Sequence, residues 1–388
     1  MRFFWDSHVI PMKGMICMLQ RIEKILPPVA LPEHLPGETG LDSAVLVDIE
    51  TTGLSPERSF VYLIGQIRFL ENGERQLRQY FAENAAQEAE LLRAFFQSLK
   101  KSDVLIQYNG DRFDLPFLAK RAAKLDVPCP LEHIPSLDLY KIIHPLKNVL
   151  GLIDGRQQTV ESLLGTGRIE ARSGKELIAA YADFTESGSE TARQLILSHN
   201  EADIRGLSGL LCLSAYEPLF HTEQGIPLYR AKAQPYLSYD GTPRNELLLY
   251  FHPREPYPAP ILGTAHGCML RVQENEGIIK IPIYTGELRY YYADYREYWY
   301  FPEEDEALHR SVAVYADRSH RIPATADTCY TRKTGDFLPE WSEFQNPVFK
   351  KERRDPTAWF EFTKELRQNR SFFEAYAGYI VRHILSQK

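Results

Sequence analysis

The chain has 388 residues, a formal net charge of −7, and contents of 44% hydrophobic and 12% aromatic residues. That length and apolar content are enough for two or three compact cores, and the acidic balance excludes a strongly basic coat of the kind that covers nucleic acid nonspecifically. Five scattered cysteines (Cys17, Cys129, Cys212, Cys268 and Cys329) without CxxC spacing exclude a disulfide framework and a zinc site, and no apolar run is long enough to span a membrane. With no continuous signal-peptide core at the N-terminus, a reduced cytoplasmic protein is expected.

Residues 1–40 read as a preamble that closes in a proline-rich, extended linker, Leu26 to Pro36. The run Val45-Leu46-Val47-Asp48-Ile49-Glu50-Thr51-Thr52-Gly53-Leu54 follows, with a strand expected over Ala44–Asp48. Residues i and i+2 of a strand share a face, so Asp48 and Glu50 converge on one spot. Two such anions at the end of a buried strand repel unless a cation sits between them, and all-oxygen ligands favour Mg²⁺ or Mn²⁺. Strands over Tyr62–Leu70 and Gln76–Ala82, a helix over Glu88–Lys101 and a strand from Asp103 to Tyr108 come next. Asn109-Gly110 signals a turn, and a helix is expected to open near Asp114, with Pro116 in its first turn. At that position Asp114 is either a plain N-cap or a further metal ligand at the carboxyl end of its strand. Asp138, after a short apolar strand, is a secondary candidate that reads more readily as a cap or turn residue.

From Glu190 to Leu211, apolar residues recur at helical spacing and place His199 and Asp203 four apart on one face. This pair is either a surface ion pair or a general base beside a metal ligand. The alternation of strands and helices over 41–215 suits an α/β mixed sheet flanked by helices.

The combined order, VDIETTGL with YLIGQ shortly after, then YNGDRFDLPFL, SLDLY and SHNEADIRGL, resembles the DEDD 3′–5′ exonuclease superfamily with its ribonuclease H-like fold. Within it the chain is most similar to the YprB-type nucleases, a likeness extended by Leu163-Leu-Gly-Thr-Gly-Arg168, Ser173-Gly-Lys-Glu176 and Ala180-Tyr-Ala-Asp-Phe184. The resemblance covers residues 41–215. It implies that Asp48, Glu50, Asp114 and Asp203 hold two divalent cations, Mg²⁺ or Mn²⁺, for hydrolysis of a phosphodiester. His199 falls where the family places a tyrosine or histidine base. It departs from the pattern, because histidine members put it five residues before the last aspartate and this one stands at the tyrosine spacing of four. Thr51 and Thr52 become candidates to contact a terminal nucleotide, Leu54 to wedge against its base, and Asn109, with Tyr108, to line the rim; turn chemistry and packing are the alternatives for each.

After about residue 216 prolines and tyrosines rise, and strands are expected over Glu246–Phe251, Gly267–Val272, Gly277–Ile283 and Glu287–Tyr292, in a β-rich accessory domain that resembles no family. The run Arg289 to Phe301 interleaves Arg with Tyr and Trp, a pattern that either stacks single-stranded bases or forms aromatic cross-strand pairs. Cys329 to Gly335 and Lys350 to Arg354 add local positive charge, and a last helix is expected to open at Asp355-Pro356. Three readings stand at this point: a 3′–5′ exonuclease acting on the single-stranded 3′ end of DNA or RNA, an endonuclease on the same fold, or a nucleic-acid-binding module without turnover.

Overall fold

The structure, a computed structural model, describes residues 19–29, 31–32, 35, 40–166, 174–238 and 240–387. Cys17, most of the N-terminal preamble, Arg168 and Ser173 lie outside these. The chain divides into two compact units, one of residues 1–141 and 156–212, the other of Ile142–Gly155 and Leu213–Lys388.

The first unit is built on a six-stranded mixed sheet of β1 (Gln20–Leu26), β2 (Ala44–Thr51), β3 (Val61–Phe69), β4 (Arg75–Phe81), β5 (Val104–Gln107) and β6 (Ser136–Asp138). The order is β1-β4-β3-β2-β5-β6; β5 runs parallel to β2 and β6 to β5, and the other pairs are antiparallel. β1 lies in the segment expected to precede the domain. Burial alternates from Gln20 to Glu23, with Gln20 and Ile22 half-buried and Arg21 and Glu23 exposed, as suits an edge strand with one wet face.

Strand β2 is central, and its residues from Ala44 to Val47 form a continuous buried run because helices cover both faces of the sheet. Val45, Val47 and Ile49 pack with Leu91, Leu92 and Phe95 of α1 (Glu88–Ser98) and with Phe117 and Leu118 of α2 (Asp114–Lys124). The opposite face meets α5 (Gly174–Ser187) and α6 (Glu190–Gly209) through Tyr62, Leu63, Phe81, Tyr181 and Ile196; α3 (Leu139–Leu146) and α4 (Gln157–Leu163) precede these helices in sequence. The period-2 alternation turns Asp48 and Glu50 away from the α1–α2 side. Helix α2 opens at Asp114 as expected, but Phe113 is its N-cap and no side chain caps it.

The second unit holds β7 (Arg230–Leu237), β8 (Pro243–Phe251), β9 (Ile261–Ala265), β10 (Cys268–Gln273) and the long β11 (Glu276–Tyr291). A small three-stranded sheet of β12 (Tyr298–Phe301), β13 (Glu306–His309) and β14 (Ile322–Pro323) follows, with α7 (Arg310–Ala313) between β13 and β14. The chain then gives β15 (Tyr330–Glu340), β16 (Val348–Phe349), β17 (Ala358–Glu361) and α8 (Arg370–Leu385).

Two expectations need correction here, and one open alternative is decided. The strands expected over Gly277–Ile283 and Glu287–Tyr292 are one strand, β11. It pairs with β8 through Ile283 and with β15 from Tyr284 onward, so the break in pattern marks a change of partner. Trp359 and Phe360 lie on β17, not on a helix, and the last helix opens at Arg370, where the Asn369 side chain accepts from the Phe372 N–H at 3.0 Å. The rings of Arg289 to Phe301 are spent largely on packing: Tyr292 stacks on Tyr298 at 4.4 Å, and Tyr291 meets its cross-strand partner Tyr330 at 5.3 Å. No helix among the described residues is long and apolar enough to cross a membrane.

One buried ion pair ties the first unit's elements together. Arg121 of α2 grips Glu88 of α1 in bidentate fashion at 2.8 and 2.5 Å, and Glu88 also accepts the Val61 N–H of β3 at 2.9 Å. Arg121 donates further to the Pro56 carbonyl at 2.9 Å, which anchors the loop after β2. Removing one partner strands the other charge in the core. Glu88→Ala is therefore expected to cost about 3–5 kcal/mol in urea unfolding of the first unit. Glu88→Leu combined with Arg121→Met should recover most of that loss, short of about 1 kcal/mol for the stranded Val61 N–H.

Candidate metal centre

The site is assembled from β2, the start of α2 and the middle of α6. Asp48 and Glu50 leave β2 on the same face, as their spacing requires. At Glu50/Thr51 the register with β3 shifts, so Thr51 pairs with Val61 and Tyr62 is the extra residue. Such a bulge bends a strand and re-aims its side chains beside an active site.

From α6, His199 and Asp203 come to the same place. The His199 Nε2 lies 2.8 Å from an Asp203 carboxylate oxygen and 3.9 Å from Glu50. One ligand atom from each of Glu50, His199 and Asp203 falls within 4.8 Å of the others. The pair is no solvated surface bridge, since the His199 and Asp203 side chains are only 12% and 19% exposed. Asp114 is buried and does not serve as a cap.

The electrostatics follow from this crowding. Burial, then the charges of Asp203, Glu50 and Asp114, hold the Asp48 carboxyl well above the usual carboxylate range, against the opposing hydrogen bond from Asn200. Burial, then Asp203 and Asp114, do the same to Glu50. The Asp114 carboxyl is pushed up to about 7, by burial first and then by Asp138. The donor set fits a divalent cation. It offers several oxygens and one imidazole nitrogen, with anionic forms disfavoured until positive charge arrives. A buried Tyr62 hydroxyl has no hydrogen-bond partner among the described residues; its proton is held more tightly than usual by burial, then by Glu50, Tyr181 and Asp48.

Sequence reading missed the residues that hold these groups in place. Asn200, fully buried on α6, donates to Asp48 at 2.8 Å and accepts from Gln79 of β4 at 3.0 Å; Gln79 also donates to the Leu197 carbonyl at 2.8 Å. Gly65 of β3 makes room for it, since a Cβ there would stand 2.3 Å from the Asn200 oxygen. Gln157 of α4 donates to the Asp203 carbonyl and to the buried Glu161, each at 2.8 Å. The one available signal was Gly65, a glycine inside the largely apolar buried strand β3, which asks for a close neighbour.

Asp138 is an organiser of the loop, accepting the N–H groups of Asn109 at 2.7 Å, Tyr140 at 3.0 Å and Asp111 at 3.3 Å. That contact holds Asn109 in the left-handed region at φ 62°. Gly110 then lets the chain pass Asp114, whose oxygen would lie 3.0 Å from an added Cβ. Thr51 and Thr52 are engaged in their own turn: the Thr51 hydroxyl donates to the Gly53 carbonyl at 2.9 Å, and the Thr52 hydroxyl accepts the Phe60 N–H at 3.1 Å. Leu54, in contrast, is 84% exposed, and Asn109 is exposed as well.

A family model described as the RNase H superfamily matches residues 45–213. Among curated proteins, the DNA polymerase of Pyrococcus glycovorans is 43% identical over 53 residues, 13% of this chain and 7% of that protein. The DNA polymerase of Thermococcus litoralis is 47% identical over 49 residues, 12% of this chain and 3% of its own length. Among solved structures, E. coli exonuclease I in complex with a dT13 oligonucleotide matches with a TM-score of 0.31 and 15% identity, over 58% of this chain and 54% of that one. The ExoI/SSB-Ct complex matches with a TM-score of 0.30 and 13% identity, over 75% and 65%. The chain thus spans less than a tenth of those polymerases and about half of the exonuclease I chain in its oligonucleotide complex. Residues 45–213 carry an RNase H-like domain, followed by a β-rich region.

Carboxyls whose folded-state values are raised stabilise the fold fully below their unfolded values, near 4, and lose that contribution as pH rises through the folded ones. With EDTA present, the first unit should therefore melt several degrees lower at pH 8 than at pH 5, and Asp114→Asn should reduce the difference. Millimolar Mn²⁺ should reverse the loss at pH 8, by about 2.7 kcal/mol at a hundredfold excess over Kd. Calorimetric scans at the two pH values, with and without Mn²⁺, measure both effects.

Proposed function

We propose that this chain is a metal-dependent nuclease of the YprB type, acting as a 3′–5′ exonuclease on DNA or RNA. In this reading Asp48, Glu50, Asp114 and Asp203 hold two divalent cations, and His199 takes the proton of the attacking water. The observation that carries it is the convergence of buried carboxylates and one imidazole at the end of β2, with raised carboxyl proton affinities that a cation would relieve. A binding module gains nothing from such a cluster, which destabilises the fold that carries it.

Divalent cations at these oxygens supply an acidified water and neutralise charge on the phosphate and the leaving oxygen. The chain's own part is positioning. Asn200 fixes Asp48 by a hydrogen bond that stands independently of any ion. The His199 Nε2 lies against Asp203 and within 3.9 Å of Glu50, so to serve as base it would have to exchange its Asp203 contact for the attacking water. Exposed Leu54 is the side chain of its turn suited to press on a terminal base, and Asn109 offers a polar edge. Thr51 and Thr52 shape that turn and, through it, the approach of the strand end.

The test is incubation with end-labelled single- and double-stranded DNA and RNA in Mg²⁺, Mn²⁺ or EDTA. A ladder shortening from the 3′ end is expected with either metal and none with EDTA; internal cuts would mean an endonuclease, and inert substrates a binding module. Asp48→Asn should abolish hydrolysis while the protein remains folded. His199→Ala should lower kcat by about 10²–10⁴-fold with Mn²⁺ affinity by calorimetry nearly unchanged; a variant as fast as wild type would return His199 to a structural ion pair.

A further inference from the structure

The second unit carries a groove of about 660 Å³ where β11 exchanges β8 for β15. Its walls include Arg244 and Asn245 of β8, Tyr284 and Thr285 of β11, Lys351, and Trp359 of β17. The Tyr284 and Trp359 rings lie 5.5 Å apart at 46°, half-buried at the margin of a small core of Leu288, Phe337 and Phe349. The Lys351 ammonium stands over both, 4.6 Å from the Tyr284 centroid and 5.9 Å from that of Trp359.

The charge around these rings is positive in a chain that is acidic overall. Lys351 belongs to Lys350-Lys351-Glu352-Arg353-Arg354, four cations to one anion. Glu352 faces Arg289 at 3.6 Å and Arg353 faces Asp327 at 3.7 Å, whereas Lys351 and Arg354 have no carboxylate partner among the described residues. Asp336, beside the groove, is already shared between the Thr285 hydroxyl and Arg367, each at 2.6 Å. Arg244 pairs with Asp240 at 2.7 Å, both about half-exposed, which leaves that guanidinium reachable from solvent.

Ring faces beside uncompensated cations suit a polyanion that also presents flat apolar groups. A single nucleic-acid strand presents both at every residue, whereas a duplex hides its base faces and a purely acidic peptide has none. We propose that this groove binds single-stranded nucleic acid, with a base against Tyr284 or Trp359 and phosphates on Lys351, Arg354 and Arg244. It would be a second contact on the strand, which raises the effective concentration of substrate for the same chain. The choice of nucleic acid rests on the nuclease reading above.

The test uses the full chain in EDTA and the anisotropy of fluorescein-labelled dT15. Lys351→Glu with Arg354→Glu should weaken binding at least tenfold and lower the slope of log K against log salt by about 1.4, two phosphates' worth. Trp359→Ala should weaken it by about five- to a hundredfold; the charge variants, being exposed, keep the test intact if this one fails to fold. Hydrolysis of bis(p-nitrophenyl) phosphate with Mn²⁺ should be unchanged in all variants. Affinity and salt slope equal to wild type in the charge variants would overturn the proposal, as would duplex DNA or polyglutamate binding as tightly as dT15. Weakened dT15 binding in a protein inert toward every phosphodiester would sink the nuclease reading and leave the groove standing; active variants with wild-type affinity would do the reverse.

Discussion

Mutual repulsion among carboxylates at the end of β2 is the constraint around which the first unit is arranged. Burial and the charges of Asp203, Glu50 and Asp114 raise the proton affinity of Asp48, and burial, Asp203 and Asp114 raise that of Glu50, so the scaffold must hold the group by contacts that do not depend on its charge. It does this with neutral amides on one side of the sheet and a compensated ion pair on the other. Asn200 and Gln79 pin α6 to β2 and β4. Glu88 and Arg121 pin α2 to α1 and to the start of β3. The cluster is thus held by its surroundings, and a bound cation would find it assembled.

Most of the first unit was legible because its signals are local. The two-residue period exposes Asp48 and Glu50 together, Asn109-Gly110 marks a turn, and the helical period aligns His199 with Asp203. The supporting shell was not legible, because each member acts across a long stretch of chain. Asn200 reads as one more polar helix residue until Gly65, 135 positions earlier, is seen to have been kept bare for it. Tyr62 sits in the YLIGQ run without any hint that a bulge turns it toward the carboxylates.

The second unit was harder to read for a different reason. Its apolar residues satisfy two periods at once: Trp359, Phe360 and Phe362 fit a helix face as well as a strand, and only pairing with β15 and β16 decides. The aromatic run from Arg289 left base stacking and cross-strand pairing open, because composition alone suits both. Pairing decides: Tyr290 packs on the core of Leu288, Phe337 and Phe349, and Tyr292, Tyr295, Tyr298 and Tyr300 on that of Ala307, Ala324 and Cys329.

The assignment of Ile142–Gly155 to the second unit has a consequence for how the chain is made. The polypeptide passes between units at 141/142, at 155/156 and again at 212/213. Buried Ile143, Leu146, Val149 and Leu150 belong to a core completed only by residues from 213 onward, and the Val149 carbonyl accepts from Leu262 at 2.9 Å. During synthesis the first unit has all its strands well before that segment has a partner. The nascent protein therefore carries an apolar loop in waiting, and a single cut near residue 212 would leave a first half with a sticky insertion instead of two clean domains.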